Sequence, residues 1–183
     1  RRYINNCTDR TEPLEDRPYE FAHPVFFAGT SSIWKGKGKA FLDDTADGHA
    51  FGRIYKITDE QYREVKVYEG RDYTKKVDLG MLEDVPVVTF TCLDRPERSA
   101  PSAEYLEVIL AGLRETYPDI RESAVTSDLV HGIFNDHEIR ILDCMRKSDH
   151  GLKIRSIAEI TGLELIRVKE LITSLVRMNV IRQ

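Results

Sequence analysis

Short runs of apolar and β-branched residues recur through the first half of the chain, and they predict β-strands. Residues 1–20 carry little periodic pattern and predict a surface segment or the end of a helix. Between residues 43 and 49, turn-forming Asp-Asp and Asp-Gly pairs predict a hairpin that joins the flanking strands. The predicted strands are residues 22–28, 39–43, 54–57, 75–79 and 85–92.

A helix is predicted directly after the strand at residues 54–57. Thr58 and Gln61 have the spacing of a capping box, and Gly70 can take the left-handed conformation that ends a helix. Three apolar residues recur between these ends at near-helical period. They are Tyr62, Val65 and Tyr68.

Glu69 is the candidate reactive group of this helix. At the C-terminal end, the partial negative charge of the unpaired carbonyls disfavours a carboxylate and predicts a raised pKa. Such a group could both take and give a proton. An ordinary exposed glutamate at a helix end is the alternative interpretation.

A second helix is predicted to begin at Pro101, since proline is tolerated in the first helical turn. Pro118 ends it, and residues 121–127 are predicted to form a linker. One apolar stripe at helical spacing predicts packing against the sheet. The stripe consists of Tyr105, Leu106, Ile109, Leu110 and Leu113.

The C-terminal part predicts a separate three-helix domain of the helix-turn-helix type. Asn135 and Glu138 offer a cap pair for its first helix. Ala158, Gly162 and Val168 then have the spacing of a close helix crossing, a turn and an apolar anchor. The predicted domains are therefore residues 1–125 and 126–183.

The second helix of this template would carry any contacts to DNA bases. Its candidate DNA-binding residues are Arg167, Lys169 and Thr173. Because this helix is only modestly basic, binding to a protein or formation of a homodimer stays open as an alternative.

Composition narrows the function classes. The chain has 183 residues, 41% of them hydrophobic and 32% charged, which is typical of a soluble globular protein. No run approaches eighteen apolar residues, so no membrane partner is expected. Three scattered cysteines predict reduced thiols and a cytoplasmic location. The five histidines have no zinc-binding spacing, so no metal is expected.

Charge and glycine content add two further observations. From Asp136 onward nine Lys/Arg stand against seven Asp/Glu, a charge of +2, whereas the rest carries −6. This asymmetry hints at two units with different partners. The basic, glycine-rich residues 36–39 lack the phosphate-loop spacing and precede a strand, which disfavours nucleotide binding.

Three motifs in order give the chain a family resemblance. Residues 29–42, GTSSIWKGKGKAFL, are similar to an S-x-x-W-x-G-G-x-A loop and strand. Glu69-Gly70 closes a strand–helix unit, and residues 101–106, PSAEYL, match a P-S-x-x-Y helix start. Over about residues 20–120 the chain resembles the γ-glutamylcyclotransferase family.

The resemblance implies an α+β fold with a small mixed, barrel-like sheet and packed helices. It also implies release of 5-oxoproline and a free amine from a small γ-glutamyl substrate, without metal or organic cofactor. Glu69 would be the general acid/base, and backbone N–H groups of the glycine-containing loop would stabilise the oxyanion. The implied substrate-binding residues are Ser31, Ser32, Trp34, Gly36 and Tyr105.

Three departures keep a second hypothesis open. The family's Y-G-S-N segment does not occur in these residues, Lys37 separates the loop glycines, and Phe90 stands where a tyrosine is usual. Another usual tyrosine, a few residues after the E-G pair, is out of place, although Tyr73 is nearby. The alternative function is a catalytically silent ligand-binding module fused to a helix-turn-helix regulator or adaptor.

Overall fold

The computed structural model describes residues 7–119, 122–148 and 152–178, without the side chains of residues 122–127. In these ranges the chain forms six strands and six helices, which confirms the predicted α+β class. The strands are β1 (Glu15–Phe21), β2 (Val25–Ser31), β3 (Lys37–Leu42), β4 (Ala50–Lys56), β5 (Lys75–Leu82) and β6 (Val85–Thr91). The helices are α1 (Asp59–Glu69), α2 (Ala103–Thr116), α3 (Glu122–Ile133), α4 (Asp136–Arg146), α5 (Ile154–Thr161) and α6 (Leu165–Arg177).

The strands pair as three antiparallel ladders, β1 with β4, β2 with β3, and β5 with β6. Over the described residues these ladders close no barrel, which corrects the predicted mixed, barrel-like sheet. The β2–β3 register shifts between Ala28 and Ser31, and the β5–β6 register shifts between Asp78 and Met81. Such irregularities bend a strand and interrupt its ladder of hydrogen bonds.

The predicted hairpin at residues 43–49 is wrong. β3 pairs with β2 instead, because the chain reverses at residues 32–36 with Lys35 (φ 56°) and Gly36 (φ 72°) both left-handed. β4 pairs with β1, from Glu15 opposite Lys56 to Phe21 opposite Ala50.

β1 lies mostly within residues 1–20, where the sequence predicted a surface segment or the end of a helix and no strand. Its residues alternate between half-buried and exposed, as expected for a strand with one covered face. The covered positions include Glu15 and Arg17, so the alternation is one of burial and not of hydrophobicity. The hydrophobic pattern therefore could not reveal this strand.

α1 begins with the predicted capping box. The Thr58 hydroxyl accepts a hydrogen bond from the Gln61 N–H (3.2 Å), and the Gln61 side chain accepts one from the Thr58 N–H (3.1 Å). Gln61 is fully buried and also donates to the Thr11 carbonyl (2.8 Å). α1 ends at Glu69 because Gly70 turns the chain at φ 60° and ψ −133°. The positive φ was predicted, but this ψ lies outside the left-handed helical region.

α2 is capped by Ser102, whose hydroxyl accepts a hydrogen bond from the Tyr105 N–H (3.2 Å). The helix thus begins at Ala103, two residues later than predicted from Pro101. All five residues of the predicted apolar stripe are half-buried, and α2 contacts β4. Just beyond α2, the Tyr117 hydroxyl lies 2.9 Å from the carbonyl oxygens of Tyr19 and Gly52, which face each other in the β1–β4 ladder.

α4, α5 and α6 contact one another around a common apolar core, and we call them the helical unit. α5 ends at the predicted Gly162 (φ 68°), whose N–H donates to the Ala158 carbonyl (2.9 Å). The buried core residues are Ile141, Ile157, Val168, Leu171, Leu175 and Met178.

α3 connects the two halves of the chain. It begins at Glu122, so the predicted linker at residues 121–127 is helical from that residue onward, and α3 continues across the predicted domain boundary. Gly132 lies against β2, where a Cβ atom would come within 2.7 Å of the Val25 carbonyl oxygen. This close approach requires glycine. The division at residues 125 and 126 remains a prediction.

Candidate functional site

A cavity of about 470 Å³ is lined by residues of β1, β4, α1, β5 and β6, and we call it the Glu69 cavity. Tyr62 of α1 and Phe90 of β6 stack across part of its wall, with ring centroids 6.2 Å apart. The apolar lining includes Phe21, Ile54, Ile57, Tyr62, Val65, Leu79, Leu82, Val87, Val88 and Phe90.

Glu69 lies half-buried on the wall of this cavity. Within the described parts of the chain, its carboxylate has no hydrogen-bond or ion-pair partner. Burial raises its pKa above the ordinary value of 4.5. The direction of the predicted shift is therefore confirmed, but its cause is desolvation of the carboxylate and not the charge of the helix end.

The two arginines on the cavity lining are held by carboxylates of the protein. Arg53 binds Asp16 (2.8 Å) and Glu115 (3.0 Å). Arg17 binds Glu15 (3.2 Å) and Glu83 (3.5 Å). Of the four carboxylates on the lining, Glu15 and Glu83 are paired and Asp59 is exposed to water, so Glu69 differs in being half-buried without a partner among the described residues.

The predicted substrate loop lies outside the cavity lining. Ser31 is buried, and its carbonyl accepts hydrogen bonds from the N–H groups of Trp34 (3.2 Å) and Gly36 (2.8 Å). The N–H of Lys37 donates to the Trp34 carbonyl, and that of Gly38 donates to the Ala100 carbonyl. These four N–H groups are therefore used within the fold, which disfavours the oxyanion role expected of this loop. Ser32 and Gly36 are exposed.

Trp34 and Tyr105 join the loop to α2. Their rings stack with centroids 4.8 Å apart, and Lys35 forms an ion pair with Glu104 at the start of α2. The Tyr105 hydroxyl accepts a hydrogen bond from the Ala40 N–H (3.4 Å), while Tyr73 donates to the Ala40 carbonyl (2.9 Å).

Tyr105 also interacts electrostatically with Glu69, the candidate acid/base. Its pKa is raised, first by burial and further by the negative charge of Glu69. The charge of Glu69 thus acts on Tyr105, whose ring stacks on Trp34. Of the six residues predicted for catalysis and substrate binding, only Glu69 lines the cavity.

Sequence reasoning missed the walls that surround Glu69. Tyr62, Val65 and Glu69 stand at positions i, i+3 and i+7 of α1, so they share one face of the helix. That spacing could have predicted that Glu69 shares an apolar surface. Phe90 entered the sequence analysis only as a missing hydroxyl, but it packs against Tyr62.

The predicted DNA-binding residues are all exposed on α6, while Val168 faces the core. Arg167 pairs with Glu170 (3.1 Å), and the Thr173 hydroxyl donates to the Lys169 carbonyl (2.8 Å). Arg167 and Lys169 stand two residues apart, so they lie on different sides of the helix and do not form one basic surface.

Among the described residues, no group of three or more His, Cys, Asp or Glu side chains could hold a metal ion. Cys7, Cys92 and Cys144, all within the described ranges, form no disulfide. No described helix has the length and apolar character needed to cross a membrane.

Comparisons of the chain with family models, with curated proteins and with solved structures gave no match.

Proposed function

We propose that the chain is a γ-glutamylcyclotransferase-like enzyme with Glu69 as its general acid/base. The substrate is a γ-glutamyl amide or related γ-glutamylamine, and the products are 5-oxoproline and the free amine. The observation that carries the proposal is the half-buried, unpartnered Glu69 carboxylate beside a cavity of ligand size. The family resemblance of the three motifs supplies the reaction.

The proposed reaction is intramolecular. The substrate α-amino nitrogen forms a bond to its own γ-carbonyl carbon, and the bond from that carbon to the leaving amine breaks. Glu69 accepts the proton lost by the attacking nitrogen and returns it to the leaving nitrogen. The protein's other contribution is to hold the γ-glutamyl chain in a curled conformation, which favours ring closure.

The raised pKa of Glu69 suits this double role. A carboxyl group with an ordinary pKa is a weak proton donor near neutral pH, and burial brings its pKa closer to the working range. Tyr105 and Trp34 remain proposed substrate contacts, supported by the electrostatic interaction of Tyr105 with Glu69 and by the stacking of the two rings.

The test is release of 5-oxoproline from a panel of γ-glutamyl amino acids and γ-glutamyl amines. Glu69→Gln keeps the shape of the side chain but removes its proton chemistry, so turnover should fall by about 100-fold or more. Glu60→Gln is the matched control, because Glu60 is an exposed residue of the same helix outside the cavity lining. Normal turnover by Glu69→Gln would contradict the assignment.

A silent ligand-binding module with a DNA-binding helical unit is the second candidate. It is favoured by the occupied N–H groups of the predicted substrate loop and by the exposure of Arg167, Lys169 and Thr173 on α6. In that case the protein should bind duplex DNA at low salt, and Arg167→Ala and Lys169→Ala should weaken binding and reduce its salt dependence. No binding to any duplex at low salt would exclude it.

A further inference from the structure

We infer that the Glu69 cavity selects γ-glutamyl substrates whose leaving amine is apolar, such as an unbranched alkylamine. The inference rests on the proposed function, since it names the part of the substrate that would lie beyond the γ-carbonyl. Three observations support it: the apolar walls beside the Glu69 carboxylate, the balance of charge on the lining and the volume of the cavity.

The surface next to Glu69 is apolar on both sides of the cavity. Tyr62 and Val65 precede Glu69 on the same face of α1, and Phe90 of β6 stacks on Tyr62. Ile54 of β4 continues this surface. These four residues are only half-buried, so each keeps apolar area that a ligand can cover.

The charged residues of the lining balance one another. Four anionic side chains stand against four cationic ones, and both arginines are paired with carboxylates of the protein. Lys76 and Asp59 are exposed, so water can solvate them in the absence of a ligand. No excess of one charge is present on the lining to attract an amine that carries a second charge.

The volume of the cavity exceeds what a γ-glutamyl group alone would occupy. About 470 Å³ falls within the range of sites that enclose ligands of drug size. With the γ-carbonyl beside Glu69, the remaining space adjoins Tyr62, Val65 and Phe90. An alkyl chain on the leaving nitrogen would therefore replace water along this wall.

The first experiment is a homologous series of γ-glutamyl-n-alkylamides from methyl to hexyl, assayed by 5-oxoproline release. If each added methylene is buried, kcat/KM should rise about two- to fourfold per carbon until the cavity is filled. γ-Glutamyl-lysine, joined through its ε-nitrogen, should react more slowly than the pentyl compound, because its carboxylate and α-ammonium group would have to be desolvated.

A pair of variants on α1 tests whether the dependence of kcat/KM on chain length arises at this wall of the cavity. Val65→Phe should move the optimum to a shorter chain, because Val65 lines the cavity. Val67→Phe makes the same substitution two residues away, where the side chain is 80% exposed and outside the lining, and should leave the optimum unchanged. An equal shift of the optimal chain length in both variants would show that the alkyl chain does not lie beside Val65.

Calorimetric binding of the same alkylamides to Glu69→Gln separates the inference from the proposed function. Affinity that rises with chain length supports the apolar ligand class, even if the wild-type protein releases no 5-oxoproline and the proposed function fails. Turnover that is flat along the series, or fastest with γ-glutamyl-lysine, overturns the inference and leaves the enzyme assignment intact. Absence of both turnover and length-dependent binding overturns both.

Discussion

Glu138 lies completely inside the helical unit, whereas Glu69 lies half-buried on the wall of a cavity in the α+β part of the chain. The Glu138 carboxylate accepts hydrogen bonds from the Arg98 guanidinium (2.8 Å), the Asn135 N–H (2.9 Å) and the Ser174 hydroxyl (3.0 Å). Glu69 has no such partner among the described residues.

This difference separates a structural carboxylate from a candidate reactive one. A buried acidic group is stable when its lone pairs are satisfied, and Glu138 also completes the capping box of α4 with Asn135. A carboxylate that loses water without gaining a donor stays available for a ligand, and its pKa rises. Glu69 is a carboxylate of this second kind, since it is half-buried and has gained no donor among the described residues.

The residues around Glu138 are also more deeply buried than those around Glu69. Ile141, Val168 and Leu175 have no exposed area in the core of the helical unit. The walls of the Glu69 cavity, such as Ile54, Val65 and Phe90, are half-exposed. One region is therefore closely packed, and the other retains partly exposed apolar surface.

Removing the Glu138 carboxylate should have the largest effect on stability. Glu138→Ala removes the carboxylate that accepts from Arg98, the Asn135 N–H and the Ser174 hydroxyl, and losing three hydrogen bonds to a buried charged group should cost about 3–5 kcal/mol. Urea unfolding of the variant measures this loss, with the exposed Glu159→Ala of α5 as control. A loss below about 1 kcal/mol would show that the contacts of Glu138 contribute little.

Equivalent truncations in the two regions should differ. Leu175→Ala removes a fully buried side chain and should lower the free energy of unfolding by about 2–5 kcal/mol. Ile54→Ala, on the half-exposed cavity wall, should cost about 1 kcal/mol because it already contacts water. Equal losses in urea unfolding would contradict the comparison of the two regions.

His49 should give a small pH-dependent contribution. Burial lowers its pKa, but hydrogen bonds to Asp128 (3.2 Å) and Glu20 (3.2 Å) outweigh that effect and raise the pKa above 6.5. The folded state therefore binds this proton more tightly. The stabilisation is fully present below pH 6.5 and is lost as pH rises through the raised pKa.

Because these groups are partly exposed, the contribution should stay below about 1 kcal/mol. The difference in unfolding free energy between the wild-type protein and His49→Gln, measured from about pH 5.5 to about pH 8.5, should shrink as pH rises. A difference that does not change with pH would contradict this role.

Local features of the fold could be predicted from the sequence. The capping boxes at Thr58 and Asn135 depend on residues three apart, and both occur as predicted. The turn at Gly162 was predicted from the spacing of the residues around it. Each of these features depends mainly on residues that are near one another in the chain.

Strand pairing and the surroundings of Glu69 could not be predicted in the same way. β4 pairs with β1, from which it is separated by about 35 positions along the chain. Some of the half-buried residues of β1 are polar, so they carry no hydrophobic signal. Glu69 lies in a cavity whose lining comes from β1, β4, β5 and β6 as well as α1, and its raised pKa had burial as its cause and not the predicted one. Both outcomes depend on contacts distant in sequence.

The most direct test of the central claim is an NMR titration of the Glu69 side-chain carboxyl carbon in the wild-type protein. We expect a pKa above the ordinary 4.5, because burial without a partner disfavours the charged form. The same group should set the acidic limb of the pH profile of kcat/KM, since only the ionised form can accept the first proton. A titration midpoint at or below 4.5 would contradict the claim that Glu69 is the unpartnered acid/base of this cavity.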